Sequence, residues 1–267
     1  MSIITISRGS YSRGKEVAEK VANKLGYECI ARRILLQASE EFNIPETKLA
    51  RALHDSPSIL NRFNYGKEKY TAYIRYNLLK HLQKDNVVYH GLAGHFFLKD
   101  VPHVLKVRII ANMDVRIEEE MRRENISEDE ARKILVKDDA ERRKWSLHLY
   151  GVDTWDPCLY DMVLHISRMT VDEASEIIVD ACQKPSFKTT PESQKVFDEL
   201  LLAAQIQSLL FEQFPTVNVT VRDNRVFITC QGSLEDKQIP ERINAMIKEI
   251  VEQQVLEVQI TPILRPD

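Results

Sequence analysis

Short apolar runs alternate along the first two thirds of the chain with longer segments in which apolar residues recur every three or four positions. The runs have the character of buried strands, and the longer segments have the period of an α-helix. The predicted strands cover residues 3–6, 87–89, 104–111 and 162–166. The predicted helices cover residues 17–25, 33–42, 67–84, 114–125, 128–149 and 171–182. A turn-rich stretch is expected around Pro57 and Gly66. Strands that alternate with helices predict a parallel sheet of the α/β class.

Local signals mark the ends of three of these helices. Ser127 with Glu130, and Thr170 with Glu173, each form a capping box, in which the two side chains bind backbone groups of the first turn. Gly26 is expected to end the first helix, because glycine readily adopts the left-handed backbone conformation that closes a helix.

Residues 184–192 interrupt the pattern with two prolines and no apolar periodicity, so we interpret them as a linker. Beyond them the pattern predicts a helix, two strands, a helix and a strand, over residues 193–211, 217–221, 225–229, 239–253 and 256–260. The expected organisation is an α/β domain over residues 1–183 and a small α+β domain of order αββαβ over residues 193–267.

The composition is that of a folded chain, since 43% of the 267 residues are hydrophobic and 29% are charged. The formal charge of −3 argues against a nucleic-acid partner. The four cysteines are widely spaced with no C-x-x-C pair, and no stretch has the layout of a signal peptide or the length of a membrane span. We therefore expect a cytoplasmic protein without an integral membrane segment.

A glycine-containing turn joins the first predicted strand to the first helix. Gly9-Ser10-Tyr11-Ser12-Arg13-Gly14-Lys15 matches the first seven positions of the phosphate-binding pattern G-x-x-x-x-G-K-[ST]. Such a loop turns its backbone N–H groups and a helix N-terminus toward phosphates, while the lysine reaches the terminal ones. The alternative is an ordinary turn with a solvated lysine. Glu16 replaces the hydroxyl that normally binds Mg²⁺, and its carboxylate either binds metal or repels phosphate.

Two charged helices beyond the third predicted strand carry arginines that could close over a nucleotide and neutralise charge in a transition state. These arginines are Arg116, Arg122, Arg123, Arg142 and Arg143. Asp139 is a candidate for binding metal or for orienting an arginine. The alternative is a solvated pair of helices with internal ion pairs, such as Glu118 with Arg122.

Two blocks of sequence occur in a recognisable order. The first consists of Ser7-Arg8, Gly14-Lys15-Glu16-Val17-Ala18 and Lys24-Leu25-Gly26. The second consists of residues 128–131, Asp139-x-x-Arg142, residues 150–155 and residues 160–164. Together they resemble the cytidylate kinase-like family of P-loop proteins, over about residues 1–183. The resemblance implies a P-loop NTPase-type parallel sheet with flanking helices and a helical lid.

The resemblance also implies a site. ATP with Mg²⁺ would bind the loop from Gly9 to Glu16, which includes Lys15, and a pyrimidine nucleoside monophosphate would bind opposite. The implied lid arginines are Arg116, Arg122, Arg142 and Arg143. The implied acceptor contacts are Arg32, Arg33 and Gly91, and the metal-ligand candidates are Glu16 and Asp139.

Three positions depart from the family's pattern. Ala31 stands where an acidic residue is usual, Leu92 stands where an arginine is common, and Ser12 replaces a common glycine of the loop. His90 and His95 flank the turn that contains Leu92, at the usual ligand edge of an α/β sheet. For each of them a structural role is the alternative to a functional one.

The C-terminal unit resembles a BON domain, through its alternating apolar residues over 217–221 and 226–230 and the turn at Asp223-Asn224. Since residues beyond Thr190 carry a net charge of −5, regulation or self-association as a homo-oligomer fits better than binding to an anionic membrane. Three hypotheses follow for the whole chain. It is a nucleoside monophosphate kinase, a nucleotide-binding regulatory protein that has lost turnover, or an assembly protein with a vestigial loop.

Overall fold

The structure is a computed structural model that describes residues 2–10, 12–31, 33–54, 66–91, 93–231, 238–251 and 257–263. Within these ranges, five strands form one parallel sheet in the order β2-β3-β1-β4-β5. The strands are β1 (Ile3–Arg8), β2 (Glu28–Ile30), β3 (Val87–Tyr89), β4 (Val104–Ala111) and β5 (Met162–Ile166). The predicted parallel α/β sheet is therefore confirmed.

Eight helices of the described residues belong to the same N-terminal unit. They are α1 (Gly14–Leu25), α2 (Arg33–Phe42), α3 (Glu46–His54), α4 (Gly66–Leu82), α5 (Gly94–Phe97), α6 (Met113–Glu124), α7 (Glu128–Tyr150) and α8 (Val171–Cys182). Both predicted capping boxes are present, and Gly26 ends α1 with a φ of 67°. One strand and two helices were not predicted from the sequence: β2, α3 and α5.

The two faces of the sheet differ in what covers them. On one face, residues such as Ile4, Val107 and Ile109 form a core with α1 and α8. On the other face, Ile3 and Val104 form a core with the helices between β2 and β4. Side chains two positions apart share a face of a strand. The second face therefore continues from apolar to polar toward the carboxyl ends of β1 and β4.

The polar positions on this second face lie under the helical layer. Thr5 and Ser7 follow Ile3 along β1, and Lys106 and Arg108 follow Val104 along β4. Ser7 pairs with Arg108 in the register of the two strands. The carboxyl edge of a parallel sheet is where α/β proteins usually bind ligands. This polar corner consequently defines where a site is to be sought.

The C-terminal unit starts with α9 (Pro191–Leu210) and continues through β6 (Asn218–Arg222), β7 (Arg225–Gln231), α10 (Gln238–Val251) and β8 (Glu257–Ile263). Strands β6 and β7 are antiparallel, and β7 and β8 are parallel. Helix α9 contributes to two cores. Phe197 packs in the core of the N-terminal unit, while Ile206 packs with β6 and β7. The proposed domain boundary and the BON-like identity of this unit stay predictions.

Polar contacts reinforce this docking. The Tyr73 hydroxyl of α4 donates to Glu212 at 2.9 Å, and the ring of His103 lies 2.9 Å from the Ser193 hydroxyl. The Thr189 hydroxyl donates to a carboxylate oxygen of Asp85 at 2.7 Å.

Among the helices of the described ranges, none is long and apolar enough to cross a membrane.

We expect Phe197→Ala to lower the free energy of unfolding of the N-terminal unit by about 3–5 kcal/mol, because it removes a buried ring from that core. Both tryptophans, Trp145 and Trp155, lie in the N-terminal unit, so tryptophan fluorescence during a urea titration reports on that unit. The control is Leu209→Ala on the same helix, where the side chain is 39% exposed. It should cost less than about 1 kcal/mol. An unchanged midpoint for Phe197→Ala would contradict the shared core.

Candidate active site

The glycine loop is fixed to the neighbouring strand by its own backbone and by one serine. The N–H of Gly9 donates to the carbonyl oxygen of Ile109 at 3.1 Å. The Ser12 hydroxyl is fully buried and lies 3.0 Å from the carbonyl oxygens of both Gly9 and Ile109. The serine that replaces a common glycine therefore anchors the loop to β4. Tyr11 lies outside the described residues.

The second glycine of the loop is required by a close approach. A Cβ at Gly14 would lie 2.8 Å from the Cβ of Arg8, so a larger side chain would displace β1 from α1. Arg13 precedes it with a φ of 60°, a left-handed conformation that costs a non-glycine residue about 1–2 kcal/mol. Helix α1 thus begins directly after the loop, with its N-terminus available to an anion.

The side chains that follow the loop turn toward solvent. Lys15 is 63% exposed and lies 3.7 Å from Glu19, one turn along α1. Glu16 binds Arg13, with both of its carboxylate oxygens within hydrogen-bond distance of the guanidinium. Lys15 is therefore free to reorient toward a phosphate, since an exposed ion pair contributes little.

Two arginines, the buried Arg116 and the half-buried Arg142, hold the loop from the side of the charged helices. Arg116 of α6 donates to the carbonyl oxygen of Ser10 at 2.6 Å and lies 2.9 Å from both carboxylate oxygens of Asp139 on α7. Arg142 of α7 donates to the carbonyl oxygen of Arg8 at 3.0 Å. Both helices predicted to form a lid are thereby tied to the start of the phosphate-binding loop.

A cavity opens in front of this loop on the polar face of the sheet. It is walled by the end of β1, the α5 region, β4, α7 and the turn after α7. Its free volume is about 20 Å³, which is room for about one water molecule. A larger ligand therefore enters only when the lid helices move. Trp155, which is 49% exposed, stands among its lining residues.

Among the charged residues that line this cavity, cations predominate. Arg8, Arg108 and Arg142 line it, and Asp139 is the one carboxylate among the described lining residues. Asp139 is already paired with Arg116. The arrangement therefore presents excess positive charge to whatever occupies the cavity, which is the environment an anionic ligand requires.

Two histidines of this region are held neutral. Burial, with a smaller contribution from Arg108, lowers the pKa of His95 to about 3. Burial, together with the charges of Arg8 and Lys15, lowers the pKa of His90 to about 4. At neutral pH neither adds a charge to the site.

The Tyr160 hydroxyl joins the walls of the cavity. It donates to the carbonyl oxygen of Thr154 at 2.8 Å and accepts a hydrogen bond from Arg108 at 3.2 Å. The Nε2 of His95 also lies 3.2 Å away. Because the hydroxyl has one hydrogen to give, we assign Nε2 as a donor, which leaves Nδ1 as an acceptor. The Nδ1 atom is buried without a described hydrogen-bond partner.

The structure brings together part of the predicted site. The loop itself contains Gly9, Ser10, Ser12 and Gly14. The side chains that lie against it are those of Arg116, Asp139 and Arg142. Arg32 and Leu92 lie outside the described residues. The turn at Gly91 packs on the Tyr89 ring, since a Cβ there would lie within 3 Å of the phenol.

Three predicted arginines lie away from the cavity or at its rim. Arg122 is 74% exposed and binds Glu119 on its own helix. Arg33 is 65% exposed and binds Glu28. Arg143 packs against the Trp155 ring, with its guanidinium 4.6 Å from the ring centre, and binds the Asp153 carboxylate. Their predicted roles on phosphates stay predictions.

Sequence reasoning missed three residues that organise the cavity: Arg108, Thr154 and Tyr160. Arg108 did carry a signal, since it is a charged residue inside the predicted buried strand at 104–111. Thr154 and Tyr160 lie within the blocks that resemble the family, but no role was predicted for either, because the contacts of Tyr160 with Arg108 and His95 join segments that are distant in sequence.

The loop and the N-terminus of α1 fit the phosphates of ATP, through N–H groups and Lys15. A site for Mg²⁺ built by the protein alone is a different matter. Within the described ranges, no group of three or more His, Cys, Asp or Glu residues could hold a metal ion. The two candidate carboxylates, Glu16 and Asp139, each bind an arginine.

Comparison with known proteins gives the family. The sequence model of the cytidylate kinase-like family matches residues 3–168, which is more than half of the chain. The protein therefore belongs to the cytidylate kinase-like family. Membership implies nucleotide substrates and the use of ATP, usually with Mg²⁺.

Individual relatives support the same grouping. The chain is 25% identical over 177 residues to a cytidylate kinase of Sulfolobus acidocaldarius, covering 66% of this chain and 91% of that protein. It is 26% identical over 185 residues to a cytidylate kinase of Methanopyrus kandleri, covering 66% of this chain and 90% of that protein. A crystal structure of an uncharacterized protein from Eubacterium ventriosum covers 69% of this chain and 99% of its own, with 20% identity and a TM-score of 0.53. That likeness shows the fold alone.

We expect Asp139→Asn to lower the free energy of unfolding by about 3–5 kcal/mol, because it leaves the buried Arg116 without a counter-charge. Asp153→Asn is the control. Its partner Arg143 is 44% exposed, so the loss should be about 0–1 kcal/mol. Urea titration measures both. An apolar double variant, Arg116→Met with Asp139→Leu, should recover stability without restoring ATP affinity, since it no longer holds the loop. Full recovery of ATP affinity in the double variant would contradict this role.

Acidification should destabilise the protein through His95. Between pH 7 and pH 5 the unfolded chain protonates this histidine near its ordinary pKa of 6.5, whereas the folded pKa is about 3. The unfolded state then binds more protons, so stability falls as pH falls, by about 2 kcal/mol from this group. His95→Gln should flatten the pH dependence of the unfolding free energy by that amount. The exposed His165 on β5 provides the control, since His165→Gln should retain the wild-type slope. Equal slopes for His95→Gln and wild type would refute the assignment.

Proposed function

We propose that the protein transfers the γ-phosphoryl group of Mg²⁺-ATP to a nucleoside monophosphate with a pyrimidine base. The observation that carries this proposal is the cationic cavity in front of the phosphate-binding loop. A loop for one phosphate chain and a separate anion pocket facing it are what a transfer between two nucleotides requires. Membership of the cytidylate kinase-like family supports the same reaction class.

The donor side uses the backbone of the loop. ATP phosphates bind the N–H groups between Gly9 and Gly14 and the N-terminus of α1, and Lys15 swings from its exposed position to the β- and γ-phosphates. Mg²⁺ carried by the ATP would neutralise part of the phosphate charge. Arg13 withdraws the Glu16 carboxylate from the phosphates by pairing with it, which lessens the repulsion that the missing hydroxyl would otherwise introduce.

The acceptor side supplies the nucleophile. An oxygen of the monophosphate attacks the γ-phosphorus while the bond to the β–γ bridging oxygen breaks, so ADP leaves and a nucleoside diphosphate forms. The enzyme forms no covalent intermediate in this step. Catalysis then consists of positioning and of charge neutralisation by arginines, with Arg142 as the lid residue nearest the start of the loop. Lid closure excludes water, which would otherwise compete as the acceptor.

A phosphotransfer assay tests the proposal. Mg²⁺-ATP is offered with CMP, dCMP, UMP and purine monophosphates, and diphosphate products are separated by chromatography. We expect turnover with at least one pyrimidine acceptor and a loss of at least about a hundredfold in kcat/KM for Lys15→Ala. The matched control is Lys20→Ala, which lies on the same helix and pairs with Asp172 away from the loop. The absence of turnover with every acceptor would refute kinase activity.

One observation favours a second function. The loop lacks the hydroxyl that normally binds Mg²⁺, and Glu16, which replaces it, is engaged by Arg13. A protein of this kind could retain ATP without transferring phosphate and act as a nucleotide-dependent regulator through its C-terminal unit. ATP binding that depends on Lys15, in the absence of turnover, would favour this alternative. The BON-like identity of that unit and its self-association stay proposals, which native mass measurement and a structure of the assembly test.

A further inference from the structure

Arg108 is a buried cation that the protein balances only in part, since its charge helps to lower the pKa of Asp153, but Arg143 already binds that carboxylate. Its side chain lies on β4, 7% exposed, in the middle of a sheet. Its one described hydrogen bond runs to the Tyr160 hydroxyl, a neutral group, at 3.2 Å, and its guanidinium lies 5.5 Å from the centre of the same ring. Among the described residues no carboxylate forms an ion pair with it.

The neighbouring Arg116 makes the contrast clear. It is buried to nearly the same extent, at 8% exposed, but it meets both oxygens of Asp139 and a backbone carbonyl. A buried charge without a partner is unfavourable, and proteins usually pair it. Arg108 therefore has the properties of a residue whose counter-charge is supplied by a ligand.

The position of Arg108 indicates which ligand. Arg108 pairs in register with Ser7, so its side chain lies on the face of the sheet opposite to α1. The phosphates of the donor would bind at the N-terminus of α1, where the loop ends. Arg108 instead lines the cavity, with Arg8 and Arg142.

We propose that Arg108 binds the phosphate of the acceptor nucleotide and so sets the affinity for a monophosphate over the corresponding nucleoside. This inference rests on the proposed kinase function. A guanidinium donates two parallel hydrogen bonds to a phosphate dianion. Arg142, on the facing helix, adds the second positive charge. Tyr160 holds the guanidinium in the cavity, because the hydroxyl is itself fixed by the carbonyl oxygen of Thr154.

The lowered pKa of His95 agrees with this assignment, since Arg108 contributes to it. A histidine that stays neutral adjoins the anion site without adding a charge of its own. The site therefore draws its positive charge from arginines alone, which remain charged at every physiological pH.

The test compares binding of a monophosphate and its nucleoside by calorimetry, using CMP and cytidine or the pair named by the phosphotransfer assay. In wild type we expect the monophosphate to bind more tightly. In Arg108→Met the monophosphate should lose about tenfold to a hundredfold in affinity, while the nucleoside is unchanged. Arg108→Lys keeps the charge but loses the paired geometry, so its loss should be intermediate. The matched control is Lys106→Met, a part-buried cation on the same strand and face that does not line the cavity.

Kinetics separates a ligand contact from a structural role. Arg108→Met should raise the KM for the acceptor and leave the KM for ATP within about twofold. If the nucleoside and the monophosphate weaken equally, or if both KM values rise together, Arg108 is structural and the inference falls. An unchanged monophosphate affinity in both folded Arg108 variants overturns it as well, while the kinase function stands if wild type turns over. A wild-type protein that binds no monophosphate refutes the proposed function and, with it, this inference.

Discussion

The buried pair between Arg116 and Asp139 joins three parts of the molecule that would otherwise move separately. Each of the two residues is 8% exposed, so water cannot replace either charge as the partner of the other. Because Arg116 also donates a hydrogen bond to the carbonyl oxygen of Ser10, a shift of α6 or α7 would displace the phosphate-binding loop. The pair and its bond to Ser10 hold both helices against the loop, beside the small cavity. Opening for a nucleotide requires these contacts to rearrange or the helices to move around them.

Around this pair, other positive charges of the site have an unfavourable electrostatic energy. Asp139 balances Arg116, but Arg108 and Arg142 find only a hydroxyl and a carbonyl oxygen as described hydrogen-bond partners. The strands lead to this outcome, because apolar residues near their start give way to polar ones at the carboxyl edge. A core optimised for stability alone would place apolar residues at such positions. The proposed kinase function would account for the excess positive charge, because two phosphate-bearing ligands would meet there.

The sequence predicted the regular elements well where the periodic segments were long, as for α7 with its capping box at Ser127. It missed β2, which has three residues and too little length to show a period. In the site, the loop could be predicted because its pattern is local. The choice between Arg116 and Arg122 could not, because six positions on a helix place them on different faces and periodicity does not say which face meets the loop. The contacts that meet at the Tyr160 hydroxyl depend on strand register and bring together separate segments, so no local pattern predicts them.

Helix α9 brings the C-terminal unit into contact with α4 of the N-terminal unit. Its Phe197 fills the core of the N-terminal unit, and Glu212, just beyond it, accepts a hydrogen bond from Tyr73 of α4. The same Tyr73 ring stacks on Phe42 of α2, with centroids 3.8 Å apart. One side chain thus touches both the C-terminal unit and a helix that starts directly after β2, at the carboxyl edge of the sheet. A displacement of α9 would therefore alter the packing between α4 and α2, because the Tyr73 side chain contacts both Glu212 and Phe42.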